Sequence, residues 1–511
     1  MKNKIEMQGG KMKKKILLLS TLAIFLGLNL EARADKNTLV IANGADAKTL
    51  DIHATNDAPS AKVSGQIYDT LVKQDTNMNI VPGLAESWSQ VDDKTTEFKL
   101  RKGVKFHNGK ELTANDVKFS LDRMKASPQV SHIIKAVDSV EVVDDYTVRV
   151  KTATPFGPLL SHLSHNASGI LNKEAVEKAG GAYGQHPVGT GPYKFVNWQA
   201  GDRITLEVNP DYYLGKAPTD KVIFRSIVEG TNRTIGLETG EVDIAFDIDP
   251  VDKNMVRDNE RLELIEEPSL STTYLGFNME KDSLKDKKVR QAIAYALNTQ
   301  DIADAVYQGS AQTANSAIGP KVFGYNPDAK AYEYNPEKAK ELLKEAGYDK
   351  GLKLKLWIND NPIRRDIAVI AQDQLKQVGI DVTIETLEWG AFLDGTARGD
   401  HDLYILGWVS VTGDADYGLD PLFNSANKGG AGNRSFYSNP KVDELLVKGR
   451  SSVNPEERKT YYYEIQDIVQ EEVPVLTLVY PTQNIGEQKT VQGFKMHPAG
   501  HHKVYGTYKT K

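Results

Sequence analysis

The sequence predicts a mixed α/β protein of several domains that works outside the cytoplasm. Three observations carry this. Short alternating or apolar runs bounded by turn residues lie among amphipathic helical stretches, and in the second half they follow as strand, helix, strand, the order of βαβ units. The 511 residues suggest roughly two to four domains. The N-terminus has the three-part pattern of an export signal: Lys11, Lys13, Lys14 and Lys15, an apolar run Ile16 to Leu30, then the small-x-small triplet Ala32-Arg33-Ala34. That run is short for a bilayer span, so cleavage after Ala34 is expected, giving a signal peptide over 1–34.

Composition narrows the function. Apolar residues at 40% and charged residues at 26% fit a globular chain, not a disordered one. The net charge of −6, with no long basic block past the N-terminus, argues against a nucleic-acid partner. Removing residues 1–34, with seven basic and two acidic groups, makes the mature chain more acidic still. Zero cysteine excludes disulfides, thiolate nucleophiles, Cys-ligated zinc and lipid anchoring through an N-terminal Cys.

The elements follow in order. Thr38–Ala42 reads as a strand, as does the Leu84–Val91 stretch leading into Thr96–Leu100, and Asn108-Gly109 is a turn. Thr113 is a helix N-cap with Asp116 at the third helical position, a capping box for a helix through Val117, Phe119, Leu121 and Met124. Val140–Val143 and Thr147–Val150 flank Asp144-Asp145 as a hairpin. Gly189-Thr190-Gly191-Pro192 breaks the chain sharply before the strand pair Tyr193–Trp198 and Ile204–Val208; the glycines are read as positive-φ positions. Val222–Ile227 is a strand, and Arg233–Thr239 a helix stopped at Gly240. Longer helices follow: Asp286–Leu297, Glu337–Ala346, Arg364–Val378, Val442–Lys448 and Glu456–Glu471. Strands Asp381–Thr386 and Asp402–Leu406 lie between them.

Catalytic motifs are missing: no HExxH, no GxxxxGK[ST], no GxSxG. His162 and His165 stand one helical turn apart without matching acidic ligands and read as ordinary polar residues. His497, His501 and His502 read as exposed. No catalytic residue, metal site or cofactor is assigned.

Several motifs in order carry a family resemblance. They are Leu84-Ala-Glu-Ser-Trp88, Phe98 to Gly109, Thr113-Ala-Asn-Asp-Val117, Val188-Gly-Thr-Gly-Pro-Tyr193, Tyr274-Leu-Gly-Phe-Asn278, Val289-Arg-Gln-Ala-Ile293, Leu342 to Gly347 and Tyr437-Ser-Asn-Pro440. Together they resemble the solute-binding proteins of ABC importers, in the large branch that takes dipeptides, oligopeptides, glutathione and nickel. The resemblance implies a periplasmic-binding-protein-like fold in which two lobes close over a cleft, with an extra third domain. Domain I would comprise 35–78, 188–279 and 488–511, domain II 79–187, and the ligand-clamping domain III 280–487. The crossings near 279 and 488 would be the hinge. It also implies a periplasmic, monomeric protein that delivers a short peptide to a membrane permease. The alternatives are a nickel chelate or haem as ligand and, further off, an exported hydrolase.

The ligand question turns on Gly407 to Tyr417. In the dipeptide and oligopeptide binders an Asp three residues after the Trp pairs with the peptide amine; here that position is Val411. The Thr-Gly-Asp-Ala-Asp spacing is similar to the glutathione-binding subgroup, which implies glutathione or a related short peptide. Asp414 and Asp416 are candidate amine partners, with helix capping as the competing role. Arg364, Arg365 and Arg434 are candidate carboxylate partners, because a guanidinium suits bidentate capture. Trp389 and Trp408 are candidate cleft walls. Arg434 has the competing role of tying down the Gly429–Gly432 loop, and Trp389 that of a core residue.

Overall fold

The computed structural model describes residues 37–429 and 432–510. The expected signal peptide therefore lies outside the described residues. Among them, no helix is long and apolar enough to cross a membrane.

One twelve-stranded sheet among the described residues runs through the molecule. Its order is Ile380–Leu387, Leu352–Asn359, Leu403–Val409, Ser271–Phe277, Val475–Gln488, Ile244–Ala245, Thr38–Asn43, Lys221–Ser226, Arg203–Val208 and Tyr193–Gln199. Leu262–Pro268 and Ala311–Thr313 pair with the long strand Val475–Gln488 off that path. That strand joins two halves. Its Val475–Pro481 part pairs with Ser271–Phe277 and Ala311–Thr313. Its Thr482–Gln488 part pairs with Leu262–Pro268 and Ile244–Ala245. The pairing therefore changes partners at Pro268–Ser271 and at Pro481–Thr482, earlier in the chain than 279 and 488.

The half containing Leu352–Asn359 is built from βαβ logic. That strand, the helix Pro362–Gln377 and the strand Ile380–Leu387 form a parallel pair with its crossover. Leu403–Val409 adds a third parallel strand. Alternation sorts the side chains. Leu354, Leu356 and Ile358 enter one apolar cluster with Leu403, Ile405 and Ile367. Trp357, Tyr404, Leu406 and Tyr274 face the opposite cluster.

A separate antiparallel sheet of Ala85–Asp92, Thr95–Leu100, Thr147–Thr152 and Val137–Asp144 packs against the helix Ala114–Ala126. The Thr113–Asp116 capping box starts that helix, and Val117, Leu121 and Met124 are buried while Phe119 is half-buried. Tyr417, from the other end of the sequence, joins this cluster.

The Gly189-Thr-Gly191 break has a different cause from the one the sequence suggests. Neither glycine lies in the left-handed region. A Cβ on Gly189 would stand 2.0 Å from the Ile67 carbonyl oxygen, and one on Gly191 2.5 Å from that of Gln66. The backbone passes so close because Gly191 N–H donates to Ile67 O and Tyr193 N–H to Gln66 O. The C-terminal histidines also depart from expectation. His502 is buried, its Nδ1 accepting from His497 N–H, and burial with nearby Lys62 holds it near 3.

Candidate ligand cleft

Three parallel strands of the half containing Leu352–Asn359 end at one edge, at Asn359, Leu387 and Val409. Clefts outside the carboxyl ends of such strands are common ligand sites. Three helices begin at or beyond this edge, each with a side-chain cap. Asn361 accepts from Arg364 N–H, Glu388 from Ala391 N–H, and Asp414 from Asp416 N–H. The caps explain the local folding: each cap oxygen satisfies a backbone donor that would otherwise lack a partner.

Residues at this edge meet the rest of the molecule. Gln74 donates to the Thr412 carbonyl at 2.6 Å, and Asn56 to the Tyr417 hydroxyl at 3.5 Å. Gly157 N–H donates to Arg450 O at 2.7 Å. Val411 packs against both the cluster of Tyr274, Tyr404 and Leu406 and the cluster of the antiparallel sheet.

Arg364 sits at this edge, half-buried. Its guanidinium donates to Asn359 Oδ1 and stacks over Trp389, 5.6 Å from the ring centroid. Burial pulls its pKa down, partly countered by Tyr274 and Tyr307. Among the described residues it makes no salt bridge. Arg365, one residue on, is exposed. Trp389 is not core: it is 43% exposed and stacks on Phe392 at 6.0 Å. Trp408 is half-buried, donates Nε1–H to Tyr417 O at 3.0 Å and lies 5.6 Å from the Tyr417 ring.

Arg434 is a brace. Its Nη1 donates to Leu393 O and Thr396 Oγ1, both at 2.6 Å, tying its loop to the helix Trp389–Arg398. Asp414 is likewise engaged and does not stand free for a ligand amine. Besides capping Ala415–Phe423, it receives two bonds from Arg458 Nη2, at 2.7 and 2.9 Å, with both residues buried. Arg458 lies far along the chain, so no local pattern announces the pair. Asp416 differs. Its Oδ1 accepts from Arg450 Nε at 2.9 Å, and its Oδ2 faces His162 Nε2 at 3.8 Å. Burial pushes its carboxyl up to about 7; Arg450 pulls it down, and Asp420 and Asp414 push it up. Asp420 also accepts from Arg450 Nη2.

Asp416, Trp408 and Tyr417 line a cavity of about 330 Å³ whose opposite wall comes from His132, Phe156 and His162. His162, read above as an ordinary polar residue, is thus buried at this wall, and Tyr417 and Arg450 were missed. Among the described residues no group of three His, Asp or Glu comes together to hold a metal ion.

The sequence profile of bacterial extracellular solute-binding proteins, family 5 (middle), matches residues 79–430. The glutathione-binding protein GsiB of Salmonella choleraesuis is 33% identical over 474 residues, spanning 90% of this chain and 92% of that protein. The dipeptide-binding protein of Escherichia coli is 32% identical over 522 residues, spanning 93% and 96%. Among solved structures, the periplasmic binding protein DppA from Helicobacter pylori in complex with peptide STSA has a TM-score of 0.85 at 32% identity, over 93% of this chain and 98% of that one.

Proposed function

This chain belongs to family 5 of the bacterial extracellular solute-binding proteins, and from that membership we propose that it captures a short peptide in the cleft, closes its lobes over it and delivers it to a permease. The fold is that of the periplasmic peptide-binding proteins, and the family is one of binding components of ABC importers, not of enzymes. Within it we infer glutathione, or a closely related short peptide, as the ligand. The mature protein would act as a periplasmic monomer after cleavage at Ala34. The domain limits at 279 and 488 move with the strand pairing: the hinge would lie at Pro268–Ser271 and Pro481–Thr482, with Ser271–Phe277 in domain III and Thr482–Gln488 in domain I.

The observation that carries the ligand reading is Arg364. A half-buried guanidinium without a carboxylate partner is costly to hold, and its depressed pKa reflects that cost. A ligand carboxylate at the strand edge would relieve it through charge-assisted bonds of about 1.5–3 kcal/mol each. Asn359 orients the guanidinium, and Trp389 offers a flat apolar wall. Val411 supplies no charge where an α-dipeptide's amine would sit, whereas a γ-linked peptide places its amine elsewhere. Identity alone does not choose, since the glutathione- and dipeptide-binding relatives match almost equally.

Titration calorimetry with glutathione, Ala-Ala and an alanine tetrapeptide tests this. Glutathione should bind most tightly. Arg364→Ala should weaken it by about 30-fold or more, and Arg365→Ala should leave it unchanged. Tight Ala-Ala binding without glutathione binding overturns the ligand; no binding of any of the three overturns peptide capture.

A further inference from the structure

The cavity between the antiparallel-sheet domain and the clamp half contains a chemical mismatch. His162 is 4% exposed, and its Nδ1 faces the Ile133 carbonyl oxygen at 2.5 Å. A carbonyl only accepts, so Nδ1 carries the proton. Burial lowers the imidazole pKa and keeps the ring neutral. Nε2 is therefore a lone pair, and it has no hydrogen-bond partner. Opposite it, 3.8 Å away, stands Asp416 Oδ2, another acceptor once that carboxyl, which burial raises to about 7, is ionised. In that ionised state two acceptors face each other with no donor between them.

The charge balance points the same way. Asp414, Asp416 and Asp420 meet only Arg450 and Arg458 among their buried or half-buried partners, which leaves one negative charge in excess whenever all three carboxyls are ionised. Lys135 also lines the cavity but is solvent-exposed at its rim. The remaining walls are aromatic. Tyr417 lies 6.1 Å from the His162 ring and 5.6 Å from Trp408, and Phe156 lies 5.1 Å from His162. Aromatic faces around a carboxylate favour an organic cation. The volume of about 330 Å³ is at the small end of ligand sites and suits one arm of a ligand.

We propose that this cavity is an ammonium subsite, in which a primary ammonium group of the bound ligand donates to both His162 Nε2 and Asp416 Oδ2 against the rings of Trp408 and Tyr417. The proposal deepens the peptide reading and rests on it for the identity of the ligand, because it supplies the amine partner that Val411 and Asp414 do not. The ammonium replaces the missing donor and neutralises the excess charge. It also joins the two walls, because His162 comes from one domain and Asp416 from the other, so occupancy favours their approach.

The test uses the mature full-length protein with ¹⁵N-labelled histidine and n-butylammonium chloride as probe, with n-butanol as control. The expected result is a saturable shift of the His162 Nε2 resonance with the amine and none with the alcohol. Asp416→Asn should weaken that response by about tenfold or more. In case Asp416→Asn does not fold, His162→Asn keeps a donor towards Ile133 while deleting Nε2, and calorimetry on it should show the same loss. A saturable response with n-butanol, no response with n-butylammonium, or undiminished binding in the folded variants overturns the subsite. Because the probe is not a peptide, this outcome is independent of peptide capture: peptides that bind without moving His162 Nε2 sink the subsite alone, and a butylammonium response without peptide binding sinks the ligand reading alone.

Discussion

Among single residues, neighbouring acids two positions apart do different work. Asp414 is fully used by the fold, as a helix cap and as the partner of buried Arg458. Removing it strands a guanidinium in the interior, which costs about 3–5 kcal/mol. Asp414→Ala should therefore lower the urea midpoint strongly, while the folded fraction keeps its glutathione affinity. A stable variant that no longer binds would make Asp414 a ligand group instead. Glu487 offers a second residue-scale prediction. It is buried opposite Glu263 across the antiparallel pair, and its Oε2 has no partner. Burial, then Glu263, raises its pKa to about 7. The fold thus holds a proton that the unfolded chain releases near 4.5, so its contribution to stability is present below 4.5 and is lost as pH rises through 7. Glu487→Gln should raise the melting temperature at pH 8 and hardly change it at pH 4; an equal change at both pH values would contradict the buried-proton account.

For secondary-structure elements, legibility followed how local the cause was. The Thr113–Asp116 capping box, the stops at Gly240 and Gly379, and the Val137–Asp144 and Thr147–Thr152 hairpin are set by a few adjacent residues, and the sequence shows them. Leu352–Asn359 was passed over although LKLKLWIN alternates cleanly, and Val475–Gln488 was missed because its first half, apolar except for Thr477 and buried over Val475–Tyr480, shows no alternation, as a strand buried on both faces does not. The site was partly legible for the same reason. Arg364 and Trp408 lie beside recognisable strand and helix ends. The pairings of Asp414 with Arg458 and Asp416 with Arg450 join segments with no shared pattern. The glycines of the Val188–Tyr193 motif show that composition can be right and its reason wrong. They are required by a close approach to residues 66–67, so Gly189→Ala should destabilise the fold by about 1–3 kcal/mol through overpacking, measured by urea unfolding. A neutral result would mean that the segment can move aside.

In the molecule as a whole, one strand is shared by both halves of the sheet, and the proposed closure would be a rotation about two short stretches, Pro268–Ser271 and Pro481–Thr482. The lobes already touch through Gln74 and Thr412, Asn56 and Tyr417, and Gly157 and Arg450. Tyr417, Trp408 and Val411 add apolar contact with the antiparallel-sheet cluster, and a ligand that binds both lobes would add the energy that shifts them towards the closed form. Small-angle scattering of the mature protein with and without saturating glutathione tests this most directly. Binding with lobe closure predicts a smaller radius of gyration in the presence of the peptide; superimposable curves at saturation, with binding verified by calorimetry on the same sample, would contradict it.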